Sequence, residues 1–448
     1  MKQFKRIVIG LAVVAGLLAL IPVFVSLDDY RVEIEKEVST RLKEPVAIKS
    51  LRVSLLPLPH ATIDSVTVGN KGDIRIGFIK IIPDIWSLAG TTKVVRSLEI
   101  GDVSLTQTGM EKAVLVLQSG ERKTVAPEPS PVRLRHVQIS NAVIQLEKLA
   151  IGPLDATIEL AESGLPVEAS VATRDGKLKG TLKPDKSKWT IAISGKAWKL
   201  PAGPAMTFDE LKINATVSEQ GAQLHQIDSR LYGGAVAGNA TVGWVRGIQI
   251  RGGLEIKNVD IQSLLAAAGG KSALSGRLNA SSRISGNAAK AVQLANVLRV
   301  EGPFSVQNGV LQGVDIQKAA TNLLTKESGG QTHFDQLSGY LVAQSGAQQV
   351  TQLQVSSGVL AANGNVSVSA RKELSGRLNA QVKVGRVAAA EVPLNVSGTV
   401  DSPVVLPTGA TVAGAAVGTA ILGPGVGTSV GAKIGGWAES LFGRKSEK

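Results

Sequence analysis

Apolar residues recur at every second position in short runs from Val46 almost to Val405, and Gly, Asn, Asp or Pro separates one run from the next. Val46 and Ile48 begin the series; Leu51, Val53 and Leu55, then Ile63, then Val66 and Val68 follow, interrupted by Pro57 and Pro59. Leu98, Ile100, Val103 and Leu105 continue it, and Leu134, Val137, Ile139, Ile144 and Leu146 open its longer second part. A period of two sends alternate side chains to opposite faces of a strand, whereas a helix needs a period near 3.6. The expected fold is therefore mainly β, a long antiparallel sheet with a few short helices.

Internal repeats run through the series. Val-Asp-Ile-Gln at 259–262 returns at 314–317, and in each copy the Asp, Asp260 or Asp315, is placed to cap a helix. The first helix is expected over 263–268, closing on Gly269 and Gly270; the second closes on Gly329 and Gly330. Leu-Ser-Gly-Arg-Leu-Asn-Ala at 274–280 recurs at 374–380, and residues 137–145 resemble residues 304–312. A hairpin cannot bury its apolar face alone, so such units stack side by side. The apolar face then packs on a second sheet, closes on itself, or stays open as a groove filled by an apolar ligand.

Ahead of the strands, residues 7–27 carry no charge, with Lys2, Lys5 and Arg6 before them and Asp28 and Asp29 after. As a helix they extend about 31 Å, the thickness of a bilayer's hydrocarbon core, and the preceding cations hold the amino terminus in the cytoplasm. The exit Phe24, Val25, Ser26, Leu27 lacks the small-residue pattern of a cleaved signal peptide, so an uncleaved anchor is expected. A helix follows, with Tyr30, Ile34, Val38 and Leu42 at every fourth position, ended by Pro45.

Composition removes several classes of chemistry. There is no cysteine, which excludes disulfides and thiolate chemistry and fits a periplasm-like compartment. His60, His136, His225 and His333 stand far apart with no metal-binding spacing, so no metal or cofactor is expected. The formal charge of +13 is scattered among strand positions without stacking aromatics, which argues against nucleic acid and fits attraction to anionic lipid headgroups. No nucleophile, paired carboxylate or general base forms a constellation, and a non-enzyme is expected.

Near the carboxy terminus Gly414 and Gly418, then Gly423, Gly427, Gly431 and Gly435, recur every fourth residue. On a helix they form a smooth stripe for close backbone approach; in water, with Pro424 among them, they make a poor helix and a flexible tail. Trp437, Leu441 and Phe442 beside Lys433, Arg444 and Lys445 add an amphipathic foot.

Several segments resemble the AsmA family. Residues 30–35 (Tyr-Arg-Val-Glu-Ile-Glu) after the anchor, 46–49 (Val-Ala-Ile-Lys) through 56–59 (Leu-Pro-Leu-Pro), and 66–70 (Val-Thr-Val-Gly-Asn) are similar to its amino-terminal region. Residues 231–234 (Leu-Tyr-Gly-Gly) with Gly238, the Leu-Ser-Gly-Arg-Leu repeat, and 308–316 are similar to its carboxy-terminal region. The likeness covers roughly residues 2–405 and implies a single-pass, inner-membrane-anchored periplasmic protein of a Gram-negative bacterium. It further implies a β-groove related to TamB and bridge-like lipid-transfer proteins, and a role in phospholipid delivery to the outer membrane.

On that likeness the chain divides into a cytoplasmic tip (1–6), an anchor (7–27), an AsmA-like helix and strands (28–126), a Pro-rich linker (127–131), a repetitive β-groove (132–405) and a Gly-rich tail (406–448). Alternation aims Val46, Ile48, Val53, Leu55, Ile100, Leu105, Ile139, Ile144, Val306 and Leu311 into the groove. The expected function is non-enzymatic phospholipid transfer or outer-membrane homeostasis, with membrane phospholipid and the inner membrane as partners. The alternative is an assembly or scaffold protein that binds outer-membrane β-barrels or cell-envelope partners by strand addition.

Overall fold

The computed structural model describes residues 28–409, apart from 57, 90–91, 111, 113–131, 147–148, 202–203, 271–272, 290–292, 322–326, 385–386 and 389–390. The candidate anchor at 7–27 and the stripe Gly414, Gly418, Gly423, Gly427, Gly431 and Gly435 lie outside the described residues. Among the described residues no helix is long and apolar enough to cross a membrane. The chain is mainly β with few helices, and it divides into two compact units at Gly195 and Lys196.

The first unit opens with helix α1 (Asp28–Leu42), which leads into β1 (Val46–Ser54), β2 (His60–Val68), β3 (Ile74–Pro83) and β4 (Lys93–Thr106). Then come β5 (Val132–Leu134), β6 (His136–Leu146), β7 (Leu149–Leu160), β8 (Pro166–Thr173), β9 (Leu178–Asp185) and β10 (Lys188–Lys199), whose last four residues belong to the second unit. Neighbours pair antiparallel, with one departure from the expected pattern: β4 runs parallel to β5 and β6. A parallel pair needs a crossover of a dozen or more residues, and the chain between Thr106 and Val132 supplies it. The Pro-rich stretch at 127–131 lies outside the described residues, and strands on both sides of it share one sheet.

Three of the four apolar positions of α1 do what their spacing predicts. Ile34, Val38 and Leu42 pack on Val46, Ile48, Val66 and Val68, while Tyr30 stays exposed. Polar side chains fix the helix on β1: Ser39 accepts from the Val46 amide (3.0 Å), Glu35 accepts from the Ile48 amide (2.6 Å), and Arg31 donates to the Ile48 carbonyl (3.1 Å). Position 39 thus meets position 46 and positions 31 and 35 meet 48, so α1 runs antiparallel to β1.

In the first strands the apolar alternation skips once, by a step of three, at the same height. Ile48 steps to Leu51, Ile63 to Val66, Ile76 to Ile79, Ile100 to Val103 and Ile139 to Ala142. In β2, β4 and β6 the step holds a residue of left-handed backbone: Ser65 (φ 51°), Asp102 (φ 54°) and Asn141 (φ 55°). Such a residue turns the strand as a bulge does, so that side chains on either side of it keep one face. Ile63 and Ile79 accordingly pack with Val66 and Val68. Asn141 Nδ2 donates to Asp102 Oδ1 (2.6 Å), which ties two of these steps together.

The second unit contains β11 (Thr207–Ser218), β12 (Gly221–Leu231), β13 (Gly234–Gly243) and β14 (Ile248–Asp260), then α2 (Ile261–Ala267), β15 (Leu274–Ala288), α3 (Leu294–Val297) and β16 (Arg299–Gln312). Helix α4 (Ile316–Thr321) precedes β17 (Glu327–Ser328), β18 (Gln331–Gln344), β19 (Ala347–Ser356), β20 (Leu360–Val368), β21 (Leu374–Val384), β22 (Val387–Ala388), β23 (Val392–Thr399) and β24 (Ser402–Pro407). Both Val-Asp-Ile-Gln repeats cap their helices as predicted. Asp260 Oδ1 accepts from the Ser263 amide and Asp315 Oδ1 from the Lys318 amide, each at 2.8 Å. The residue before each repeat, Asn258 or Gly313, has positive φ, and Val259 and Val314 are buried behind it. Helix α3 was not expected, and α4 stops well before Gly329, because Glu327 and Ser328 pair with Val405 and Val404 of β24.

Candidate functional site

The two units treat equivalent rows of their sheets differently. In the second unit the ladder lines up Val259, Leu278, Val306, Leu337, Val355, Ala362, Ala380 and Val392, one from each of eight successive strands. All eight are buried, in or beside a core that includes Ile261 of α2 and Ile316, Ala319 and Ala320 of α4.

In the first unit the ladder lines up Leu51, Ile63, Ile79, Ile100, Ile139, Ala156, Val171, Gly180 and Ile193 across nine strands. Two residues along each strand lies a second row: Val53, Ala61, Ile81, Leu98, Val137, Ile158, Ala169, Leu182 and Ile191. Apart from one glycine every position is apolar, yet none is buried; Val53 is 37% exposed and the rest are half-buried. The row between them, on the opposite face, reads Arg52, Thr62, Lys80, Glu99, Gln138, Thr157, Ser170, Thr181 and Ala192.

That face is held by polar pairs across strands: Lys80 to Glu99 at 3.4 Å and Thr157 to Ser170 at 2.6 Å. The sheet is two-faced, and its apolar face is not sealed. Helix α1 packs on that face over Val46, Ile48, Val66 and Val68, outside the two rows.

At a strand spacing of about 4.8 Å, nine strands make each row about 38 Å long. Two rows then cover on the order of 500 Å² of the sheet, comparable to the largest apolar patch on a typical soluble monomer, which is often functional. A bilayer's hydrocarbon core is about 30 Å thick, so one leaflet's acyl chains span about 15 Å, and a row accommodates two such lengths end to end.

Of the residues expected to line a groove, Val53, Ile100 and Ile139 lie in these rows. Leu105 and Ile144 pair with each other beyond the step. Five require correction. Val46 and Ile48 are protein core beneath α1; Val306 is fully buried in the second unit's core, with Leu311 packed against it. Leu55 lies past the end of β1, off the sheet. Val171, Leu182, Ile191 and Ile193 also belong to the rows; alternation in β8 to β10 marks them, but only pairing puts Val171 and Ile193 in line with Ile100 and Leu182 and Ile191 in line with Leu98.

Asp64 anchors the polar face at its β1 edge. Arg52 grips it with two bonds, Nε to Oδ2 and Nη2 to Oδ1, both 2.8 Å, and Ser50 donates a third at 2.8 Å. The hydrogen-bonded guanidinium holds the Asp64 carboxyl below the usual carboxylate range. A depressed value means the stabilisation is complete above the unfolded-state pKa, about 3.9, and is lost as pH falls through the lower folded value. Arg52 is largely exposed, so the effect is under about 1 kcal/mol. Asp64→Asn is expected to lower the urea midpoint at pH 7, and the gap to the parent protein is expected to narrow in acid, which denaturation curves at the two pH values measure.

Comparison with protein-family models, with curated proteins and with solved structures finds no match. Function is therefore read from the residues of this face.

Proposed function

We propose that the first unit is a lipid-binding surface, which shields the acyl chains of phospholipid against the rows that contain Ile100 and Ile139 and performs no chemistry. The observation that carries this reading is a nine-strand apolar face left partly exposed, opposite a polar face that carries its own cross-strand pairs. Each methylene kept from water contributes about 0.8 kcal/mol, so a sixteen-carbon chain supplies about 12 kcal/mol before the cost of ordering it. Twist of the sheet and the line of steps curl the face into a groove. With residues 7–27 as the anchor, the units sit in the periplasm of a Gram-negative bacterium as an AsmA-type protein, and lipid passes between the inner membrane and an acceptor beyond it.

A photoreactive amino acid at Ile100 or Ile139 tests the proposal, with Thr157 on the polar face as control. In cells grown on radiolabelled phosphate, irradiation is expected to attach labelled phospholipid at the first two positions and not at the third. Adducts to protein alone at Ile100 and Ile139 would overturn lipid transfer in favour of a scaffold that recruits an envelope partner.

A further inference from the structure

Six exposed large apolar side chains of the first unit gather at one end of its sheet. Strands β1, β3, β7 and β9 end there, and β2, β4, β5, β6, β8 and β10 begin there, so the described residues of the connections, at 55–56, 58–59, 84–89, 92, 161–165 and 186–187, form one rim. Leu56, Leu58, Ile85, Trp86, Leu165 and Val167 stand on it, each between 47% and 89% exposed. Trp86, at 89%, is the most exposed of them. The turns of the opposite end, at 69–73 and 174–177, are built from Gly, Asn, Lys, Asp and Arg.

Trp86 is not on a loose loop. It lies in a 3₁₀ turn (Ile85–Ala89) whose start is fixed by Asp84, which accepts from the Trp86 amide (3.1 Å), and whose return is fixed by Ser87, which donates to the Asp84 carbonyl (2.7 Å) and accepts from the Val94 amide (2.8 Å). The fold therefore presents Ile85 and Trp86 outward. Basic residues flank them. Exposed Arg133, Arg135, Lys186 and Lys188 lie at this end, against exposed Glu162 and Asp185, while Asp84 and Glu168 are engaged by Arg96 and Lys183.

We infer that this rim docks into a lipid bilayer, with Trp86 and its apolar neighbours in the interface and the basic residues against anionic headgroups. Two observations select a bilayer over a protein. Helix α1 runs antiparallel to β1, so its first residue, Asp28, lies toward the rim, and the uncharged stretch at 7–27 joins it directly. Tryptophan beside Lys and Arg is also the composition that settles at a membrane interface. The row from Val53 to Ile191 is the one nearer the rim, so docking places the uncovered face next to the acyl chains. The inference stands apart from the transfer reading: lipid adducts at Ile139 report on the face, and the rim is probed separately.

The chain has no cysteine, so a single substitution gives a unique labelling site. The full chain carrying Trp86→Cys or Leu165→Cys, labelled with an environment-sensitive fluorophore, is reconstituted in vesicles of phosphatidylethanolamine and phosphatidylglycerol. Lys71→Cys in the opposite turns serves as control, and circular dichroism confirms that each variant is folded. Emission from positions 86 and 165 is expected to shift to the blue and to be quenched by brominated phospholipid, while position 71 shows neither. Water-like, unquenched emission at 86 and 165, or a shift that appears only when envelope protein is added, overturns the inference.

Discussion

Val306→Asp is expected to abolish the cooperative unfolding transition of the second unit. Val306 is fully buried, paired on the sheet with Leu278 and Leu337, and part of the core that takes in Ile316 and Ala319 of α4. A carboxylate there has no partner and no water, and it costs about 4–5 kcal/mol or more, a large share of the 5–15 kcal/mol that holds a typical domain. Val306→Ala leaves a cavity and is expected to cost roughly 2 kcal/mol, a shift that urea denaturation resolves even if the aspartate variant fails to fold. A wild-type midpoint for both variants would show that the row through Val306 is not core.

Ile139→Asp is expected to do the opposite: leave the first unit folded and strip it of lipid. Ile139 occupies the position equivalent to Val306 in the repeated segment, but it is half-buried, and its carboxylate variant keeps contact with solvent. The expected change in stability is within about 1 kcal/mol. A charge placed in the row between Ile100 and Ala156 must be desolvated by any acyl chain laid along it. Phospholipid captured by a photoreactive group at Ile100 is expected to fall at least about tenfold, equivalent to about 1.4 kcal/mol of binding. If Ile139→Asp unfolds the unit as Val306→Asp does, the face is ordinary protein core and the lipid reading fails.

Much of the local structure was legible from residue pattern. The period of two located β1, β2, β4 and β6; Asp260 and Asp315 marked their helices because a short carboxylate before an apolar run has one use there, to accept from a free amide. Spacing of four found the contacts of Ile34, Val38 and Leu42 but placed Tyr30 on the same stripe, and the structure leaves it exposed because the helix outruns the cluster beneath it. The parallel pairing of β4 with β6 was not legible, since pairing direction depends on the path of the connecting chain and not on the strands themselves.

The pair of related segments at 137–145 and 304–312 separates what sequence determined from what tertiary structure decided. In both, alternation makes a strand, and in both an asparagine, Asn141 or Asn308, adopts positive φ (55° and 50°) at the same place. Those are local consequences of side-chain period and of asparagine's tolerance for left-handed backbone, and any context would allow them. Whether the apolar face so formed is core or open surface is not local. Val306 is sealed within a core that a capped helix and the strands following it complete, while Ile139 has apolar neighbours within its sheet and stays partly exposed. Burial is a property of what is packed above a residue, and that depends on segments far along the chain.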